Sequence, residues 1–124
     1  MDAGERHVTV ALGSNHRAGT TMPLALHHLD RLLKGFHHTR MLSTDALGDK
    51  PGPFVNCMAA GATTLDTGAL VDALKAIERR CGDRRQLRNK GKVVMDIDLM
   101  EYDGSRHHET DWQRPYIKTL YEEL

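Results

Sequence analysis

Met95-Asp96-Ile97-Asp98-Leu99-Met100 alternates aliphatic and acidic side chains. A period of two is that of a β-strand, because successive side chains leave opposite faces of a sheet. Met95, Ile97 and Leu99 therefore belong to one face, which helices would cover, and Asp96 and Asp98 belong to the other, which stays open. Two carboxylates about 7 Å apart along a strand repel unless a cation lies between them. Mg²⁺ suits that gap, since it takes hard oxygens from one or two carboxylates together with phosphates. An alternating strand with a merely wet polar face is the plainer alternative on this motif alone.

The residues just upstream bear on that choice. Between Arg79 and Lys92 lie seven of the seventeen basic residues (Arg79, Arg80, Arg84, Arg85, Arg88, Lys90 and Lys92) against one acid, Asp83. Such a run is either a solvated loop or an anion trap. Because it leads straight into the aspartate strand, its cations and the two carboxylates can share one phosphate-bearing ligand.

Working outward, His7 to Leu12 alternates as a first strand and ends in the turn composition Gly13-Ser14-Asn15, which lacks the form of a phosphate loop. Met22, Leu26, Leu29 and Leu33 fall at helical spacing, with Pro23 expected in the first turn and Gly35 as a left-handed cap after an end near Lys34. His37 to Ser43 is a weaker strand, Thr44 to Pro53 a loop, and Phe54 to Leu65 a longer strand. Asp66 or Thr67 caps a second helix with the stripe Leu70, Leu74, Ile77 and Cys81 and Gly82 past its end; Val93 to Tyr102 is the last strand. The tail predicts a short helix over Lys118 to Leu124. The order βαββαβ predicts an α+β, ferredoxin-like sandwich: an antiparallel sheet with two helices on one face and an open face carrying the site.

The 124 residues, 40% hydrophobic and 27% charged, suit a single domain over 1–124. No apolar run nears the roughly 18 residues of a membrane span, and Met1 to His7 holds no apolar leader, so a cytoplasmic protein without a membrane partner is expected. The formal net charge of zero gives no support to a nucleic-acid partner. Cys57 and Cys81 read as buried thiols. The pairs His27-His28, His37-His38 and His107-His108 lack zinc-site spacing, and neighbours on a helix or strand point apart. No nucleophile signature suggests covalent catalysis.

Val8-Thr9-Val10-Ala11-Leu12-Gly13-Ser14-Asn15, Phe54-Val55-Asn56, Ala76-Ile77-Glu78 and above all Met95 to Met100 resemble, in order and spacing, the 6-hydroxymethyl-7,8-dihydropterin pyrophosphokinases of folate synthesis. The likeness runs from residue 8 to about 102 and is weaker in the tail. It implies transfer of a pyrophosphoryl group from ATP to the pterin hydroxymethyl oxygen, release of AMP, and two Mg²⁺ held by Asp96 and Asp98.

The same resemblance assigns Phe54 and Asn56, with Thr44 and Leu47 from the preceding loop, to the pterin. Val71 and Glu78 fall to the adenine and ribose side, with a solvated helix acid as the alternative for Glu78. His108 and Arg114 keep the separation of a family pair that contacts ATP phosphates. Lys90 stands where the family has the tryptophan covering the pterin, Val93 where it has an arginine for the phosphates, and Asp83 where the loop begins with another. Arg84, Arg85 and Lys92 are then the expected cations of a mobile catalytic loop. ATP and the pterin are the implied partners, and the oligomeric state is left open. Two other readings stand beside this one: a diverged nucleotide- or pterin-binding relative with little catalysis, and a ferredoxin-like interaction domain.

Overall fold

The computed structural model describes residues 4–45 and 52–124; Leu47 lies outside them. Strand β1 (Arg6–Ser14) is followed by helix α1 (Ala18–Leu32), the short strands β2 (Lys34–His38) and β3 (Leu42–Thr44), and β4 (Phe54–Thr63). Then come helix α2 (Thr67–Arg80), a single helical turn α3 (Arg85–Arg88), β5 (Asp96–Tyr102), β6 (Ser105–Arg106), a 3₁₀ turn at Asp111–Gln113, and helix α4 (Pro115–Tyr121). The sheet runs β2-β4-β1-β5-β6, with β3 continuing the β2 edge against β4, and every pairing is antiparallel. This is the α+β ferredoxin-like arrangement that the order of elements predicts.

Period-two patterning sets the faces. Val8, Val10 and Leu12 of β1 join Cys57 and Ala59 of β4 and Ile97 and Leu99 of β5 beneath both long helices. Helix α1 contributes Met22, Ala25 and Leu29, and α2 contributes Leu70, Leu74 and Ile77. Asp66 caps α2 by accepting the Ala69 N–H at 2.8 Å, satisfying a donor at the helix start. Gly61 lets β4 pass under the corner after α1, because a Cβ there would stand 2.8 Å from Leu33 Cβ and 3.0 Å from the Lys34 carbonyl oxygen.

Three local expectations are corrected. Helix α1 starts at Ala18, so Pro23 lies in its second turn rather than its first; it is exposed, and the hydrogen bond it cannot donate is on the wet side. The helix ends at Leu32 with Leu33 already extended, so the positive φ of Gly35 serves an irregularity between Lys34 and His37 in the β2–β4 pairing instead of a helix cap. The tail helix begins at Pro115, three residues before the expected Lys118, because proline is suited to a helix's first turn.

A larger correction concerns the face expected to be open. Trp112 from the 3₁₀ turn and Ile117 and Leu120 from α4 bury Met58 of β4 and Met100 of β5, with Ala11 at the margin. The indole Nε1 donates to the carbonyls of His107 and Met100. The β1–β5 register shifts between Thr9 and Val10, and past that shift Glu101 accepts from Thr9 Oγ1 and from Tyr121 Oη of α4. The tail thus closes half of that face and leaves its other end accessible.

Candidate functional site

The uncovered end is a cleft of about 220 Å³ lined by Ala11, Leu12, Gly13, Phe54, Asn56, Arg88, Val93, Asp96, Asp98, Arg114 and Tyr116. Its floor follows from strand register. Gly13 in the central strand pairs with Asn56 on one side and Asp96 on the other, and Ala11 pairs with Asp98. With strands about 4.8 Å apart, Asn56 and Asp96 stand about 10 Å apart across a glycine, so small central residues create the depression between polar ones.

Asp98 bears the mark of two carboxylates crowded together. Burial first, then the Asp96 charge and a hydrogen bond shared with it, raises its pKa to about 7. The pair is a set of hard oxygen donors whose one close cation among the described residues is the Arg88 guanidinium, 3.4 Å from Asp96, and Asp98 is left without a cation of its own, which fits Mg²⁺. Among the described residues no group of three or more His, Cys, Asp or Glu could hold a metal ion. A metal on Asp96 and Asp98 would accordingly take its remaining ligands from water and phosphates.

Glu78 is not a solvated helix acid. It is buried, and its Oε2 accepts the backbone N–H of Ile97 at 2.7 Å and the Lys75 Nζ–H at 3.2 Å. Strand β6 pairs with β5 only at Glu101 and Tyr102, so among the described residues the outer edge of β5 has no strand partner beside Ile97, and Glu78 supplies the acceptor. Burial raises its pKa, with the Ile97 N–H and Lys75 acting in opposition. Val71, two turns earlier on α2, packs against the core.

The basic segment is tied down at several points. Asp83 Oδ2 accepts from Arg88 Nε at 2.6 Å, and its Oδ1 accepts from the backbone of Val94 and Met95. Arg88 Nη2 reaches the Met95 carbonyl at 3.1 Å and Asp96 Oδ1 at 3.4 Å. Asn15 donates to the Gly91 carbonyl and accepts from the Val93 N–H. Arg84, Arg85 and Lys92 are exposed, and none of them lines the cleft.

On the pterin side of the expected site, Asn56 Nδ2 donates to Thr44 Oγ1 at 2.7 Å, which leaves its Oδ1, on the Gly13 side, as an acceptor at the cleft. Phe54 and Tyr116 both line the cleft. Arg114 lines it too, held by Asp111 at 3.1 Å. His108 lies 4.0 Å from the same aspartate and is outside the lining. The structure therefore brings together Asp96, Asp98, Asn56, Phe54 and Arg114, with Thr44 behind Asn56.

Sequence reasoning named Arg88, Asp83 and Asn15 without giving them a place in the site, and it passed over Tyr116 and Asp111. Arg88 was one of seven cations in a run, with nothing local to single it out. Tyr116 sits two residues after Arg114, in the stretch where the resemblance was weakest.

The comparisons with known proteins agree with the geometry. The folate synthesis bifunctional protein of Chlamydia caviae is 32% identical over 80 residues, which cover 58% of this chain and 18% of that protein. This chain thus spans less than a fifth of the relative's length. The family model of 7,8-dihydro-6-hydroxymethylpterin-pyrophosphokinase matches residues 9–123, the tail included, and the chain belongs to that family.

Proposed function

We propose that this chain transfers a pyrophosphoryl group from ATP to the hydroxymethyl oxygen of 6-hydroxymethyl-7,8-dihydropterin, releasing AMP. The observation that carries the proposal is the placing of Asp96 and Asp98 in one cleft with Asn56, Phe54 and Arg114, within a chain of this family. An end bearing two carboxylates and arginines thus shares the cleft with an aromatic ring and an amide, which is what a metal-bound nucleotide and a heterocycle need side by side.

Asp96 and Asp98 would hold two Mg²⁺ with the ATP phosphates; the metal supplies charge neutralisation on the phosphates and lowers the pKa of a coordinated hydroxyl. Asn56 Oδ1 accepts from an N–H on the heterocycle edge while Thr44 and the Leu42 carbonyl hold its amide nitrogen, and Phe54 and Tyr116 offer ring faces for stacking. Arg114, steadied by Asp111, reaches the phosphates. Glu78 acts indirectly, fixing the strand between the two aspartates, and Val71 backs the same flank. Arg84, Arg85 and Lys92 add positive charge outside the cleft and favour approach of the polyanion, and His108 offers its imidazole as a hydrogen-bonding group to the phosphates. Transfer of this kind rests on alignment and charge stabilisation more than on proton abstraction. Among the described residues no helix is long and apolar enough to cross a membrane; a cytoplasmic location belongs to this proposal, as a compartment that supplies ATP.

Mixing the protein with Mg²⁺, ATP and the pterin should yield AMP and a pyrophosphorylated pterin, and Asp96→Ala or EDTA should abolish both. Absence of pterin-dependent AMP from the unaltered protein would overturn the proposal.

A further inference from the structure

We propose that Arg88 is a phosphate-binding residue of this cleft and that Asp83 is its positioning residue, an assignment that rests on the nucleotide reading above. Of the seven cations between Arg79 and Lys92, Arg88 is the one that lines the cleft with Asp96 and Asp98. It ends the single turn α3, and three carboxylates surround its guanidinium. Asp83 lies 2.6 Å from Nε, and Asp96 and Glu78 lie 3.4 and 3.8 Å from Nη2.

The way these contacts are distributed matters more than their number. Asp83 takes Nε, and the Met95 carbonyl and Asp96 take Nη2. Among the described residues this leaves Nη1 uncommitted, on a planar fork that suits phosphate oxygens. Asp83 is itself fixed, because its other oxygen accepts from the Val94 and Met95 backbone. The guanidinium is therefore aimed before any ligand arrives, which lowers the ordering cost of binding. Its 3.4 Å contact with Asp96 also makes it the resident cation of a carboxylate that a metal would claim. Arg88 thus opposes metal binding by charge and favours phosphate binding by hydrogen bonds.

These opposed effects separate the assignment from a purely structural counter-ion role. Titration calorimetry on the intact chain would compare Mg²⁺ alone and ATP with excess Mg²⁺. Arg88→Ala should bind Mg²⁺ alone about three- to tenfold more tightly, since a neighbouring positive charge is gone. It should bind MgATP about 10- to 100-fold more weakly, for loss of charge-assisted bonds. Arg88→Lys should return Mg²⁺ affinity to its original value and recover only part of the MgATP affinity, because an ammonium cannot hold Asp83 and a phosphate as a fork does; this pair of results stands in for Arg88→Ala if that variant does not fold. Asp83→Asn should weaken MgATP severalfold in the parent chain and add nothing in the Arg88→Ala background, as expected of a residue acting through another. Unchanged MgATP affinity in Arg88→Ala would overturn the assignment. So would a proportional loss of both affinities with a lowered melting temperature, or full MgATP affinity in Arg88→Lys. If the unaltered protein fails to bind MgATP, the nucleotide reading falls and this one with it; if it binds and Arg88→Ala binds equally, the assignment of Arg88 alone falls.

Discussion

The buried carboxylate of Glu78 accepts the backbone N–H of Ile97 at 2.7 Å, so a helix side chain completes the outer edge of β5 midway between Asp96 and Asp98. Replacing Glu78 with Ala strands a buried backbone donor and should cost about 1–3 kcal/mol in urea unfolding. Glu78→Gln keeps an acceptor and should cost less. Both should weaken Mg²⁺ binding in calorimetry, and Ala more than Gln, because the strand that presents the two aspartates loses its anchor.

Crowded carboxylates are destabilising until a cation joins them. Asp98, whose pKa burial and Asp96 raise to about 7, is ionised at pH 8 against that opposition. Asp98→Asn removes one of the two charges and should stabilise the metal-free protein by roughly 0.5–2 kcal/mol, the usual exchange of activity for stability at a strained site. Mg²⁺ with ATP should raise the melting temperature of the parent and leave that of this variant unchanged. Scanning calorimetry with and without ligand checks both.

Gly13 leaves open space on the floor of the cleft. A Cβ there would sit 3.4 Å from Asn56 Oδ1 and 3.8 Å from Phe54 Cδ2, an ordinary contact for the fold but a methyl group on the cleft floor. Gly13→Ala should fold with near-parent stability and bind the pterin about tenfold more weakly, in line with about 1.4 kcal/mol. Fluorescence titration with the pterin tests this.

Gly61 answers to packing alone. A side chain there would meet Leu33 Cβ at 2.8 Å and the Lys34 carbonyl oxygen at 3.0 Å, one of them backbone that cannot step aside. Gly61→Ala should destabilise by about 1–3 kcal/mol without moving the residues of the cleft. Urea unfolding should reveal the loss, while any activity measured well below the transition stays at the parent level.

Burial, then the charges of Glu78 and Asp83, pushes the Cys81 thiol up from an ordinary value near 9 to about 11. Between those values the unfolded chain gives up the proton and the folded one keeps it. The native state then binds more protons, so this contribution is complete below pH 9 and is lost as pH rises toward 11. The urea midpoint should fall between pH 8.5 and 10.5, and Cys81→Ala should flatten part of that fall. Native Cys81 should also react slowly with iodoacetamide at pH 8, since the thiolate is the nucleophile.

The sequence alone determined the faces of the strands, because a period of two is written in adjacent residues. Val8, Val10 and Leu12 had to share one face, and Asp96 and Asp98 had to share the other. It also marked the second helix through Asp66, its apolar stripe and Gly82, and gave enough landmarks to find the family. All of these signals are local.

Tertiary structure decided what depends on groups far apart in the chain. Trp112, Ile117 and Leu120 cover half of the face expected to be open, and their hydrophobicity carries no period that names Met58 and Met100 as partners. The choice of Arg88 from seven cations comes from Asp83, which also fastens the approach to β5, and the burial of Glu78 comes from an unpaired N–H nineteen residues away. Asp96 and Asp98 could be read as a candidate metal pair from their spacing together with the basic run upstream and the family landmarks. The cation beside them was fixed by hydrogen-bond satisfaction in the folded chain, a constraint that exists only once strand, turn and helix meet.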